Sequence, residues 1–242
     1  MLPLLIALQF LTSLPIRLPG MPSPQELGRS LLWYPVVGLL IGLLLYGLHL
    51  VLHGAPLLLH AALLVAAWVA LSGALHLDGL ADSADAWLGG FGDRERTLTI
   101  MKDPRSGPIA VVTLVLVVLL KFAAVVALLE QQQASVLLLA PWLARGLLPL
   151  LFMTTPYVRA GGLGQALAEH LPRERLPLVL GVHGLAMLLF GWAALWMLVS
   201  GVLLFVWLRR RMLDRLGGTT GDTAGAMVEL VECAVLVVIA LA

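Results

Sequence analysis

The chain has 242 residues, 60% hydrophobic and only 12% charged, with a mean hydropathy of +0.99. That balance excludes an ordinary soluble globular domain and makes a lipid bilayer the natural solvent. Lys and Arg number 15 against 14 for Asp and Glu, so no net field points to nucleic acid, and a single cysteine, Cys233, excludes an internal disulfide.

The opening Met1–Thr12 is apolar but has no basic leader and no small-residue cleavage site. It predicts a short helix lying in the interface or docked on the bundle rather than a removed signal peptide. Four segments then reach the roughly 20 apolar residues that a membrane-crossing helix needs: Leu31–Leu52, Pro56–Leu77, Pro108–Leu129 and Ala134–Thr155. A fifth, Thr223–Ala242, carries acids in its first half. The stretch Leu176–Leu208 is long for one upright helix and short for two, and a tight hairpin near Gly191 would divide it.

Basic residues mark the sides, because Lys and Arg collect in cytoplasmic loops. Arg17 and Arg29 precede the first span, His53–Ala55 holds no Lys or Arg, and the next connection holds Arg94, Arg96, Lys102 and Arg105. Glu130–Gln133 again lacks them, while Arg159, Arg173 and Arg175 follow the fourth span. If Leu176–Leu208 crosses twice, Arg209, Arg210, Arg211 and Arg215 keep the alternation; if it crosses once, they break it. The expectation is an all-α polytopic transmembrane helical bundle of about seven spans, six being the alternative. Its N-terminus would be cytoplasmic and residues 1–242 a single integral membrane domain.

Between the second and third spans, Asp78, Asp82 and Asp85 are spaced i, i+4 and i+7 with small residues between them. On a helix they share an arc of roughly 60 degrees. Carboxylates so close repel and are expensive near hydrocarbon, so a compensating cation is expected. Oxygen donors of this kind suit Mg²⁺, which takes one or two carboxylates and leaves positions for water and phosphate oxygens. His76 falls on the opposite side of such a helix, where a structural role is the simpler expectation.

Downstream, Gly89-Gly90-Phe91-Gly92 and the dense turn Lys102-Asp103-Pro104-Arg105-Ser106-Gly107-Pro108 break the helix. Lys102 and Arg105 there resemble a phosphate clamp, one as a point charge and one as a fork. Near the C-terminus, Gly217-Gly218-Thr219-Thr220-Gly221-Asp222 leads into a span bearing Glu229 and Glu232. Asp222 and Glu229 share a face and are candidate ligands, with Asp222 also readable as a helix N-cap. Arg145 and Lys121 lie inside spans and need partners. Arg145 would face the acids or a substrate phosphate, and Lys121 would pair with an acid such as Glu130 or line a cavity. Tyr157, Arg159, Gly161, Gly162 and Gly164 form a turn with one cation, readable as a substrate contact or as a plain loop.

Together, His76 to Asp85, Arg94-Glu95-Arg96, Met101 to Gly107 and Gly218 to Asp222 with Glu229 resemble the cobalamin synthase family, the adenosylcobinamide-GDP ribazoletransferases. Ala7 to Pro15 and Tyr34-Pro35-Val36-Val37-Gly38 are similar to that family too, so the likeness runs from the first residues to the last span. It implies that α-ribazole, or its 5′-phosphate, is joined to adenosylcobinamide-GDP with loss of GMP. It also implies dependence on Mg²⁺ and residence in a bacterial or archaeal cytoplasmic membrane, with the active site facing the cytoplasm. A homo-oligomer, or association with other cobalamin-assembly enzymes, is compatible with such a role.

On this reading Asp82, Asp78 and Asp85 are the catalytic acids. The metal shell draws on Asp78, Asp82, Asp85, Asp103, Asp222 and Glu229. Lys102, Arg105, Arg94, Arg145, Arg159 and Thr220 are the substrate contacts. The Asp-Gly opening is also similar to the CDP-alcohol phosphotransferases, but Asp82 follows Ala81 where that family has Arg, so a lipid head-group transferase is the alternative. An ion or metabolite transporter is a further one, and it predicts charges spread toward the midplane.

Overall fold

The computed structural model describes residues 1–161 and 163–242; Gly162, part of the glycine turn noted above, lies outside them. The described residues form an all-helical bundle. Helix α1 (Leu2–Leu11) docks on the bundle through Ile6, Ala7 and Leu11. Helix α2 (Pro24–Ser30) opens with a capping box between Ser23 and Glu26, and a single 3-10 turn carries the chain into α3 (Tyr34–Val51).

The expected span Pro56–Leu77 is broken. Helix α4 (Leu57–Ser72) ends at Gly73, and α5 (Leu75–Gly89) leaves at 87° to it. Gly73 (φ 61) and Ala74 (φ 56) both adopt left-handed backbone, which costs the glycine nothing and the alanine roughly 1–2 kcal/mol. The carbonyls freed at the break are recovered from the N-terminal segment: Ser13 donates its backbone N–H to Leu71 O (2.8 Å) and its hydroxyl to Ala70 O (2.6 Å). The acidic row therefore runs across the bundle instead of continuing the axis of α4.

The short α6 (Arg94–Ile100) follows, then α7 (Pro108–Glu130) and α8 (Val136–Thr154), with α8 the most enclosed of the long helices. Helix α9 (Leu163–Glu169) precedes α10 (Leu176–Leu188), a turn at Gly191 (φ 79), α11 (Trp192–Leu216) and α12 (Gly221–Ala240).

The hairpin falls where the sequence places it, but its arms are unequal. The 13 residues of α10 reach about 20 Å, short of a hydrocarbon core of about 30 Å, while α11 runs on through the arginine triplet to Leu216. Among the described residues, five helices are long and apolar enough to cross a membrane, or six if α4 and α5 count as one broken span. With α4 and α5 counted as one span, the short α10 is the remaining difference from seven.

One end of the bundle collects the cations. Arg209 donates to Thr154 O at the end of α8, Arg215 to Trp87 O and Thr97 Oγ1, and Arg94 to Leu216 O. The arginines after α11 thus share an end with α5 and α6. The turns at the other end, 52–56, 131–135 and 189–191, contain no Lys or Arg.

Candidate active site

Helices α5 and α12 cross almost backbone to backbone. A β-carbon on Gly79 would stand 2.7 Å from Asp222 O, and one on Gly225 only 3.3 Å from the His76 Cα. This crossing sets Asp78 and Asp222 on the walls of one cleft of about 440 Å³. Lys102, His76, Tyr157 and Arg159 complete its polar lining, over an apolar floor that includes Phe10, Tyr34, Leu148 and Phe152. The Tyr34 hydroxyl is buried there without a partner.

Two clips bring in residues from distant segments. The Tyr157–Arg159 turn is laced to the approach of α12, with Val158 N–H donating to Thr219 O (2.9 Å) and Thr219 N–H to Pro156 O (2.8 Å). Arg159 then donates to Asp222 Oδ2 at 2.8 Å. Thr220, not Asp222, caps α12: its hydroxyl accepts from Thr223 N–H (3.2 Å), and its own N–H donates to Thr223 Oγ1 (2.9 Å). The Thr220 hydroxyl also donates to Met101 Sδ (3.2 Å), which holds the neighbouring Lys102 at the cleft. Thr220 is therefore a cap and an anchor, with no surface on the cleft.

The three acids of α5 have different surroundings. Asp78 is exposed to the cleft. Asp82, one turn on, is half-buried and within electrostatic reach of Asp78, Asp85, Asp222 and Arg159. Asp85 accepts from Gly107 N–H (2.5 Å) and Ala110 N–H (2.9 Å), so it caps α7, which has no side-chain cap of its own. It pins the Lys102–Gly107 turn against α5.

Asp103 and Arg105 turn to each other. The Arg105 guanidinium donates to both Asp103 oxygens (2.8 and 3.0 Å). Those bonds and the Arg105 backbone N–H hold the Asp103 carboxyl down at about 2. Neither residue lines the cleft. The cation that stands opposite Lys102 is Arg159. Arg94 lies away from the cleft as well, bonded to Leu216 O and paired with Glu95 (2.5 Å).

Glu229 and Arg145 belong to a second, closed network in the core. Lys121 of α7 donates to Glu229 (2.5 Å) and Glu232 (2.6 Å) of α12, Arg145 of α8 pairs with Glu232, and Trp68 of α4 donates to Glu232 (3.2 Å). Lys121 thus finds these two acids rather than Glu130. All four charged side chains are at most 6% exposed, and they sum to zero. The cavity beside them is about 10 Å³, no more than a single water would fill. Glu229 is a counter-ion within this network and not part of the cleft, and Arg145 meets the cleft only through His76, at 3.5 Å.

Among the described residues, no three Asp, Glu, His or Cys side chains converge as a ready metal shell. What converges is smaller than the set read from the sequence: Asp78, Lys102, Arg159 and Asp222, with Asp82 beside them. Phe10 and Tyr34 join unforeseen, and His76, expected on the opposite side of the helix in a structural role, lines the cleft as well. Phe10 and Tyr34 lie in the two N-terminal motifs, whose only signal was the family resemblance.

The family model described as Cobalamin-5-phosphate synthase matches residues 3–240. The adenosylcobinamide-GDP ribazoletransferase of Pseudomonas fluorescens Pf-5 is 71% identical over 242 residues, 100% of both chains. Those of Pseudomonas aeruginosa PAO1 and Ectopseudomonas mendocina are 68% and 66% identical, each over 98% of this chain and 97% of the relative. No solved structure matches.

Proposed function

The chain belongs to the cobalamin-5-phosphate synthase family, and on that premise we propose that it is a ribazoletransferase whose reaction takes place in the cleft between α5 and α12. It joins α-ribazole, or its 5′-phosphate, to adenosylcobinamide-GDP and releases GMP, the last assembly step of vitamin B12. The observation that carries the site is the convergence of Asp78, Asp222, Lys102 and Arg159 from four separate segments on one cleft.

The ribazole 3′-hydroxyl oxygen forms a bond to the phosphorus nearest cobinamide, the bond from that phosphorus to the GMP oxygen breaks, and the hydroxyl proton leaves to a base. Lys102 and Arg159 neutralise charge on the transferring and leaving phosphates, as a point charge and a forked donor. Asp82, one turn along α5 from Asp78 and beside the cleft, is the base that takes the proton. Asp85 acts at one remove by fixing the turn that presents Lys102.

The donor chemistry fits Mg²⁺, because Asp78 and Asp222 line the cleft from the two crossing helices and would supply the one or two carboxylate oxygens that this ion takes. When bound, the ion would neutralise diphosphate oxygens. Asp103 and Glu229 are committed elsewhere. A volume of about 440 Å³ suits a diphosphate with one nucleoside, which leaves the corrin ring at the mouth. The Lys- and Arg-rich end holds the cleft, so the site faces the cytoplasm across a bacterial inner membrane.

The test is GMP release by purified protein given adenosylcobinamide-GDP, α-ribazole and Mg²⁺. No GMP, with turnover instead of a CDP-linked lipid, would overturn the assignment. Loss of activity in EDTA that returns with Mg²⁺ is the expected sign of the ion.

A further inference from the structure

At the end of the bundle away from the cleft, the α3–α4 turn and the α7–α8 turn enclose a second cavity of about 460 Å³. Three of the six histidines of the chain line it: His49 in the last turn of α3, His53 in the connecting turn and His60 in the first turn of α4. His60 is buried, His49 half-buried and His53 exposed. His49 stands 15 residues along α3 from Tyr34, about 22 Å of helix, so this cavity is separate from the cleft that Tyr34 lines.

The first two imidazoles are already set as a chelating pair. His49 Nδ1 and His60 Nε2 stand 3.2 Å apart, with ring centroids at 5.1 Å. Two imidazole nitrogens bound to one tetrahedral ion at about 2.0–2.1 Å would lie roughly 3.3 Å from each other. A hydrogen bond between two rings would also bring these atoms together. It leaves unexplained a third imidazole, four residues beyond His49, on the same cavity.

The rest of the wall suits a metal as well. Tyr46 packs against His49 (5.8 Å between centroids), and Gln132 and Ser135 offer neutral oxygens opposite. Gln132 holds left-handed backbone (φ 58) to stand there. Among the described residues, no carboxylate and no Lys or Arg lines the cavity. Neutral nitrogen donors without carboxylates favour borderline transition metals over Mg²⁺ or Ca²⁺.

We propose that His49, His53 and His60 form a binding site for a transition-metal dication of the Zn²⁺ class, on the face of the membrane opposite the catalytic cleft. His49 and His60 supply the preset pair. His53, which stands off from them here, closes on the ion by rotation of its exposed side chain.

The experiment titrates full-length, tag-free protein in detergent with Zn²⁺ by calorimetry in saturating Mg²⁺, which keeps the catalytic cleft occupied. Saturable binding at a single site is expected for the parent and for Asp82→Asn, with loss in His49→Gln and weakening in His53→Gln. Because His60 is buried and its replacement endangers folding, the two less buried histidines carry the test, with melting temperature recorded alongside. Absence of saturable Zn²⁺ binding to the folded parent would overturn the proposal. So would binding that both histidine variants retain, or binding that Asp82→Asn abolishes.

Discussion

Replacing Lys121 by Met removes one of two cations from a core network that is neutral as it stands. Two buried carboxylates, Glu229 and Glu232, are then left to share the single guanidinium of Arg145. Breaking a buried ion pair by deleting one partner costs about 3–5 kcal/mol, because the remaining charge stays desolvated. For a chain of this size each kcal/mol moves the melting temperature by about 2–4 °C, so the fall should be about 6–20 °C. Adding Glu229→Gln removes the surplus charge and should restore most of the loss, although each substitution alone is destabilising. The assay is thermal unfolding of detergent-purified protein, followed by tryptophan fluorescence or by loss of monodispersity. A Lys121→Met melting temperature within about 2 °C of the parent, or a double variant no better than the single one, would refute the view that charge balance holds α7, α8 and α12 together.

Three further outcomes follow from the site. Gly79→Ala puts a β-carbon 2.7 Å from Asp222 O; it should force α5 off α12 at a stability cost of about 1–3 kcal/mol and reduce turnover far more than it reduces melting temperature. Asp85→Ala strips the cap from α7 and frees the Lys102 turn; a rise in KM for adenosylcobinamide-GDP larger than the fall in kcat is expected, and an unchanged KM would contradict the anchoring role. Lys102→Ala should lower kcat/KM about tenfold or more, whereas Arg105→Ala, whose guanidinium is spent on Asp103 outside the cleft, should stay within about threefold; equal losses would mean that the clamp is Lys102 with Arg105 after all.

What the sequence could and could not show follows from the range of the interactions. The acidic row is legible because its spacing repeats with the helix, and the hairpin at Gly191 because length and basic residues constrain it jointly. The break at Gly73 is hidden, since the stretch stays largely apolar to Leu77 and part of the support for the exposed carbonyls comes from Ser13, 58 residues upstream of Leu71. Glu229 and Arg145 read as site residues because a charge inside a span signals function by default. Their partners lie on other helices, Lys121 being 108 residues from Glu229, and no local pattern announces such a pairing. The same distance hides the choice between Arg105 and Arg159 as the second cation. Arg105 sits in the more conspicuous turn, but its own neighbour Asp103 satisfies it. Arg159 reaches the cleft through the lacing of its turn to Thr219, with Asp222 holding its guanidinium there.

The central claim is that the transfer takes place where α5 crosses α12, and GMP release by Asp78→Asn measures it most directly. Asp78 is exposed, lies outside the Lys121 network and does not cap a helix, so this variant should match the parent in melting temperature. The account predicts a fall of about a hundredfold or more in kcat at that unchanged stability. A variant that releases GMP within about threefold of the parent rate would contradict it.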